Sequence, residues 1–105
     1  MFYFTADEHY GHKRILEYEP DRPFISVEEM DEGLIELHNE TVSNKDITIH
    51  AGDFSFYKPS VTADIIRCLN GNHIFLKGSH DKWKQNLRYI WEKKIDGIYI
   101  VVCLD

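Results

Sequence analysis

The chain has little cysteine: Cys68 and Cys103 lie far apart with no Cys-x-x-Cys spacing, which removes the signature of a thiol redox pair and leaves two buried, reduced thiols as the reading. No run approaches the ~20 apolar residues that span a bilayer. The start, Met1-Phe2-Tyr3-Phe4-Thr5, has neither a basic leader nor a long apolar stretch. Neither insertion nor secretion is expected, and the protein is placed in the cytoplasm with no membrane partner. Basic residues are in deficit, 12 against 18 acidic for a formal charge of −6, which argues against general nucleic-acid binding because that needs a clustered basic surface. A Gly-rich phosphate loop is also missing, which argues against a nucleotide held by backbone amides. Repeats, low-complexity tracts and linkers are absent.

What is present is an alternation of strand and helix patterns that fits a single domain over residues 1–105. Phe2 to Thr5 reads as a strand. Lys13 to Glu19 is a short amphipathic piece stopped by Pro20 and Pro23. Ser26 and Glu29 form a capping box ahead of Val27, Met30, Leu34, Leu37 and Thr41, which predicts a helix over about 27–43. Ile47 to His50 is a second strand. Ser60 is expected to cap a helix with Val61, Ile65, Cys68 and Leu69 inward, closed by Asn70-Gly71. A third strand over about 73–77 comes next, and Trp83, Leu87, Ile90 and Trp91 predict one more helix, with Lys93 to Asp96 as a turn. Residues 98–104 read as a strand apolar on both faces. Such a strand is expected to pair on both sides, which implies either a missing complementary segment or a homo-oligomer joined there, and a domain incomplete at its C-terminus. The order β-α-α-β-α-β-α-β predicts an α/β fold, a layered sheet flanked by helices, with the early strands parallel.

Three polar clusters succeed the three early strands: Asp7-Glu8-His9, Gly52-Asp53 and Gly78-Ser79-His80-Asp81. In open α/β sheets ligands bind outside the carboxyl ends of the strands, so these turns would open onto one rim. Asp7 and His9, two apart as the chain leaves the sheet, can turn a carboxylate oxygen and an imidazole nitrogen toward one ion. Gly52 permits a tight turn that presents Asp53, and Gly78 does the same for His80, a candidate proton donor. Asp81 can cap the helix expected to hold Trp83. Each cluster alone is equally readable as a solvated turn; their order and spacing together carry the signal. Asn72, in Gly71-Asn72-His73, precedes the third strand and belongs at the opposite end of the sheet.

In these motifs, and in Phe4-Thr5-Ala6-Asp7-Glu8-His9-Tyr10-Gly11-His12-Lys13, Arg22-Pro23-Phe24, His50-Ala51-Gly52-Asp53-Phe54-Ser55 and Leu76-Lys77-Gly78-Ser79-His80-Asp81, the chain resembles the calcineurin-like metallophosphoesterases over residues 2 to about 100, small prokaryotic and phage members in particular. The resemblance implies the N-terminal half of that family's fold, with Asp7, His9 and Asp53 as metal ligands and Asp53 bridging where two ions are held. It implies His80 as the histidine assisting the leaving oxygen and Asp81 as the acid that orients it. His12 would lie beside the site. Two departures stand out: Ser79, a shorter and weaker neutral metal ligand, stands where the family has an asparagine ligand, and the later histidine motifs are not among the six histidines at 9, 12, 38, 50, 73 and 80. One divalent ion, manganese, iron or zinc, or at most two, is therefore expected. Two functions remain open: hydrolysis of a phosphoester substrate by metal-assisted water attack, impaired in so short a chain, or a non-catalytic interaction module that self-associates through its last strand.

Overall fold

The computed structural model describes residues 1–84, 87–88 and 90–103. Its elements are β1 (Phe2–Thr5), α1 (Ile15–Tyr18), α2 (Val27–Thr41), β2 (Ile47–Ala51), α3 (Pro59–Cys68), β3 (Asn72–Leu76), β4 (Ile90–Ile95) and β5 (Ile98–Cys103). Strands β1, β2 and β3 form a parallel sheet in that order. The register sets Phe4 beside Ile49 and Ile49 beside Ile74, and carries Thr5 level with His50 and Ala51 level with Leu76. All three strands therefore release their chains at the same rim, and Asn72 sits opposite Ile47 at the other end.

Because side chains alternate along a strand, the sheet has two distinct faces. Ile49 and Leu76 are buried on one, with Phe2, Ile47 and Ile74 packed around them and Trp91 of β4 closing the cluster. The other face carries Thr48, His50, His73 and Phe75 toward the helices, where Tyr10, Phe54, Ile65, Leu69, Trp83 and Leu87 form the larger core. Ser26 caps α2 as expected, its side chain accepting the Glu29 amide at 3.1 Å. Further along α2, Leu37 is 57% exposed, so the buried stripe of this helix is shorter than its apolar spacing predicts.

The mixed α/β class with a parallel sheet and helices is what the alternation of patterns predicts, but several local expectations are corrected. Lys58 rather than Ser60 precedes α3, with Pro59 at the first helical position, where its missing amide costs nothing. Cys68 is exposed, not inward. No helix forms over the described residues between Trp83 and Trp91; Ile90 to Ile95 is a strand paired antiparallel with β5, from Ile90 beside Cys103 to Ile95 beside Ile98. The physical reason is the Asp96-Gly97 turn, whose φ angles of +51° and +80° supply the two left-handed residues that a tight hairpin needs. The last strand pairs among the described residues with β4 and leaves Ile98, Tyr99 and Val101 exposed. Leu104 of that expected strand lies outside the described residues. Among the described residues no helix is long and apolar enough to cross a membrane.

Candidate metal centre

Past the strand ends the backbone ladder continues between loops. The Asp7 amide donates to Gly52 O, His9 N to Asp53 O and Tyr10 N to Phe54 O, each at 3.0 Å. The first two polar turns are thereby zipped side by side. The third is brought in by Gly78: a Cβ there would overlap the main-chain nitrogen and carboxylate of Asp53, so only glycine allows this approach. The His80 amide then donates to Asp53 Oδ1 at 2.9 Å.

The backbone at the ligands is unusual. Among the described residues, four non-glycine residues have positive φ, and three of them are Asp7 at +56°, His9 at +59° and Asp53 at +51°; the fourth is Asp96 of the hairpin turn. The left-handed region costs an L-residue roughly 1–2 kcal/mol, and strain of this kind gathers where side chains must be aimed. The outcome is convergence: one ligand atom from each of Asp7, His9 and Asp53 lies within 4.8 Å of the others. Ligands bonded at ~2.1 Å to one ion stand about 3–4 Å apart, so small side-chain rotations suffice. Two carboxylates and one imidazole form a donor set suited to manganese, iron or zinc.

The shell around the cluster holds it in place. His9 Nδ1 faces His12 Nδ1 at 3.0 Å, a hydrogen bond in which one ring carries the proton, and His9 Nε2 lies 3.9 Å from Asp7 Oδ1. Metal-binding histidines are ordinarily fixed through their other nitrogen in this way. His12 stacks on Phe56 with ring centroids 4.0 Å apart, and desolvation followed by the His9, His80 and arginine charges holds its pKa below the usual histidine value. The Arg22 guanidinium closes the outer side, donating Nη2 to Asp7 O at 2.7 Å and Nη1 to Glu8 O at 2.9 Å. The Arg22-Pro23-Phe24 motif marks this residue without assigning it a role, and its clasp on a turn 14 residues back has no local signature.

Of the remaining candidates, His80 is exposed on the third turn with its ring stacked on Phe56 at 4.8 Å. Ser79 is its neighbour in sequence, and among the described residues no hydrogen bond ties its hydroxyl to the three ligands. Asp81 departs from the role the resemblance implies. It is 1% exposed, and its carboxylate accepts from Phe54 N at 2.8 Å, Ser55 N at 3.2 Å, Trp83 Nε1 at 2.9 Å and Gly78 N at 2.9 Å. Those four donors occupy it, and it makes no hydrogen bond to the His80 ring. Asp81 locks the third turn onto the second. On the far side of the first turn, Asp31 of α2 accepts the Gly11 amide at 3.0 Å and the Tyr57 hydroxyl at 2.6 Å; burial raises its own pKa and, with Asp31, pushes Tyr57 up to about 12.

No protein-family model matches the chain. It is 38% identical over 90 residues to the uncharacterized protein MJ1445 of Methanocaldococcus jannaschii, a match covering 84% of this chain and 51% of that protein. The chain thus spans about half the length of the curated relative it matches. Its fold is similar to the crystal structure of the protein of unknown function AQ665 from Aquifex aeolicus, with a TM-score of 0.77 and 22% identity over 96% of this chain and 58% of that one. At that identity the likeness speaks to the fold: a parallel sheet with helices, shared across nearly all of this chain.

Proposed function

We propose that the chain is a calcineurin-like metallophosphoesterase unit whose Asp7, His9 and Asp53 hold a divalent ion for phosphoester hydrolysis. The observation that carries this reading is the convergence of three strained residues from two separate turns, at the sheet rim where ligands of α/β proteins bind. The layering supports it, with helices over one face of the parallel sheet and a second β layer over the other.

A divalent ion supplies positive charge for a phosphoryl oxygen and lowers the pKa of a water. It also reverses the sign of the local field, which an acidic protein needs in order to accept a phosphate. Asp53 accepts the His80 amide through Oδ1, which leaves Oδ2 for ligation. His12 bonds the Nδ1 side of the His9 ring, whose Nε2 faces the Asp7 carboxylate at 3.9 Å. His80, exposed and stacked against Phe56, would give a proton to the departing alkoxide.

The test is Mn²⁺ binding by titration calorimetry together with hydrolysis of bis-p-nitrophenyl phosphate and p-nitrophenyl phosphate, for the unmodified chain, Asp53→Asn and His80→Ala. Asp53→Asn is expected to lose at least about tenfold in Mn²⁺ affinity and all measurable turnover. His80→Ala is expected to keep Mn²⁺ and lose about 10²–10⁴-fold in kcat. An unmodified chain that takes up no Mn²⁺, or an Asp53→Asn chain that binds it equally well, overturns the proposal. The exposed Ile98, Tyr99 and Val101 favour a second reading, a non-catalytic module that self-associates along β5. A metal-free, inactive chain that sediments as a dimer supports that one.

A further inference from the structure

Between the candidate ligands Asp7 and His9, Glu8 turns toward the sheet. Its Oε2 lies 2.5 Å from His50 Nδ1 on β2, and His50 Nε2 lies 2.9 Å from His73 Nδ1 on β3. His73 Nε2 reaches Leu69 O, just past the end of α3, at 3.4 Å. One line of hydrogen bonds therefore runs from the ligand turn across the sheet to the far helix. His50 is 1% exposed and the Glu8 side chain 10%.

Proton bookkeeping sets the direction of this line. A carbonyl only accepts, so His73 Nε2 carries hydrogen. Burial holds the His73 pKa down at about 4, which keeps its Nδ1 an acceptor at neutral pH. His50 Nε2 must then donate to it. The contact between His50 Nδ1 and Glu8 Oε2 is then the short hydrogen bond at the ligand-turn end of the line. The other Glu8 oxygen, Oε1, is buried with no protein partner, at a cavity of about 280 Å³ that Thr48 and His38 also line. Among the described residues, His50 alone holds the Glu8 carboxylate.

We infer that Glu8, His50 and His73 are positioning residues: their chain holds the 7–9 turn in the left-handed conformation that aims Asp7 and His9 at Asp53. The mechanism comes from the backbone. Asp7 and His9 at φ +56° and +59° flank Glu8, and the turn that brings side chains 7 and 9 to Asp53 is the one that sends side chain 8 to His50 on β2. Arg22 grips the same turn from outside through the carbonyls of Asp7 and Glu8. With the inner grip released, the turn relaxes toward ordinary negative φ and the two ligands part. The inference rests on reading Asp7, His9 and Asp53 as metal ligands, although its first observable does not need the metal.

The experiment uses the isotope-labelled 12.4-kDa chain. Backbone carbon shifts of Asp7 and His9, which distinguish left- from right-handed residues, are recorded without metal for the unmodified chain, Glu8→Ala, Glu8→Gln and His73→Phe. Mn²⁺ affinity is then measured for each. The unmodified chain is expected to show left-handed shifts and a far-downfield His50 ring proton. Glu8→Ala should lose both, with Mn²⁺ affinity down about tenfold to a hundredfold. Glu8→Gln, which keeps a hydrogen-bonding group against His50, should retain most of the shifts and recover most of the affinity, a rescue that mere loss of packing would not produce. Should Glu8→Ala fail to fold, His73→Phe, expected to lower affinity by a smaller factor, takes its place. Unchanged Asp7 and His9 shifts in every folded variant overturn the inference. Altered shifts in a chain that never binds Mn²⁺ uphold it while sinking the metal-site reading.

Discussion

Replacing Asp81 with alanine removes one carboxylate and strands four hydrogen-bond donors: the amides of Phe54, Ser55 and Gly78 and the Trp83 indole. A hydrogen bond to a charged acceptor contributes about 1.5–3 kcal/mol net, and an unsatisfied buried donor costs a comparable amount. Water entering the space left by the carboxylate offsets part of the loss, so the expected destabilisation is about 4 kcal/mol. Against a total of about 5–15 kcal/mol for a domain, that is a large share, and it corresponds to a drop in Tm of roughly 15–30 °C. Asp81→Asn should fare better: its carbonyl oxygen can keep the three donors now on Oδ1, at the expense of setting its NH₂ against the Gly78 amide, about 1–3 kcal/mol in all. Urea unfolding followed by far-UV circular dichroism and tryptophan fluorescence gives both values. If Asp81→Ala unfolds within about 0.5 kcal/mol of the unmodified chain while turnover collapses, the locking role is wrong and the carboxylate orients His80 after all.

Two further predictions concern charge and backbone. His73 has a folded pKa near 4, below the ordinary 6.5, because burial and then the His50 charge oppose its protonation. The unfolded chain takes up that proton first as the medium acidifies. The stability His73 confers is therefore complete above pH 6.5 and is lost between about 6.5 and 4. Urea midpoints across that window should fall more steeply for the unmodified chain than for His73→Phe, and parallel curves would refute the assignment. Gly97→Ala places a left-handed alanine where nothing lies within 4 Å of the new Cβ, for about 1–2 kcal/mol of conformational cost. Gly71→Ala has the same backbone problem plus Cβ contacts of 2.8 Å to Asp46 O and 2.9 Å to Ser43 O, so its denaturation midpoint should fall further. Equal losses at the two sites would contradict this comparison.

The parts of the fold that were legible are those written in local chemistry. Ser26 with Glu29 marks the start of α2, and the β-branched and aromatic runs at 2–5 and 47–51 mark β1 and β2. The convergence of Asp7, His9 and Asp53 was legible too, because they succeed strand patterns whose ends a parallel sheet must align. The stretch after Trp83 was not. Trp83, Leu87 and Trp91 are all buried, as one face of a helix would require, but burial reads the same from a loop running into a strand, and the Asp96-Gly97 turn decides in favour of the hairpin. Nor was the work of Asp81 legible, since its partners at Phe54 and Ser55 are backbone amides, which every residue but proline carries. Cys68 shows a finer limit: the end of α3 turns that position to solvent while Leu69 goes inward.

Asp7, His9 and Asp53 occupy backbone conformations that glycine adopts freely and that aspartate and histidine, though they visit them more than most side chains, adopt at some cost. Glycine at the three positions would relieve that backbone cost, but it would leave no donor atoms to converge and would forfeit the acceptor of the His80 amide and the partner of the His12 ring. Backbone ease and the convergence of donor atoms pull these positions in opposite directions, and the residues present keep the convergence.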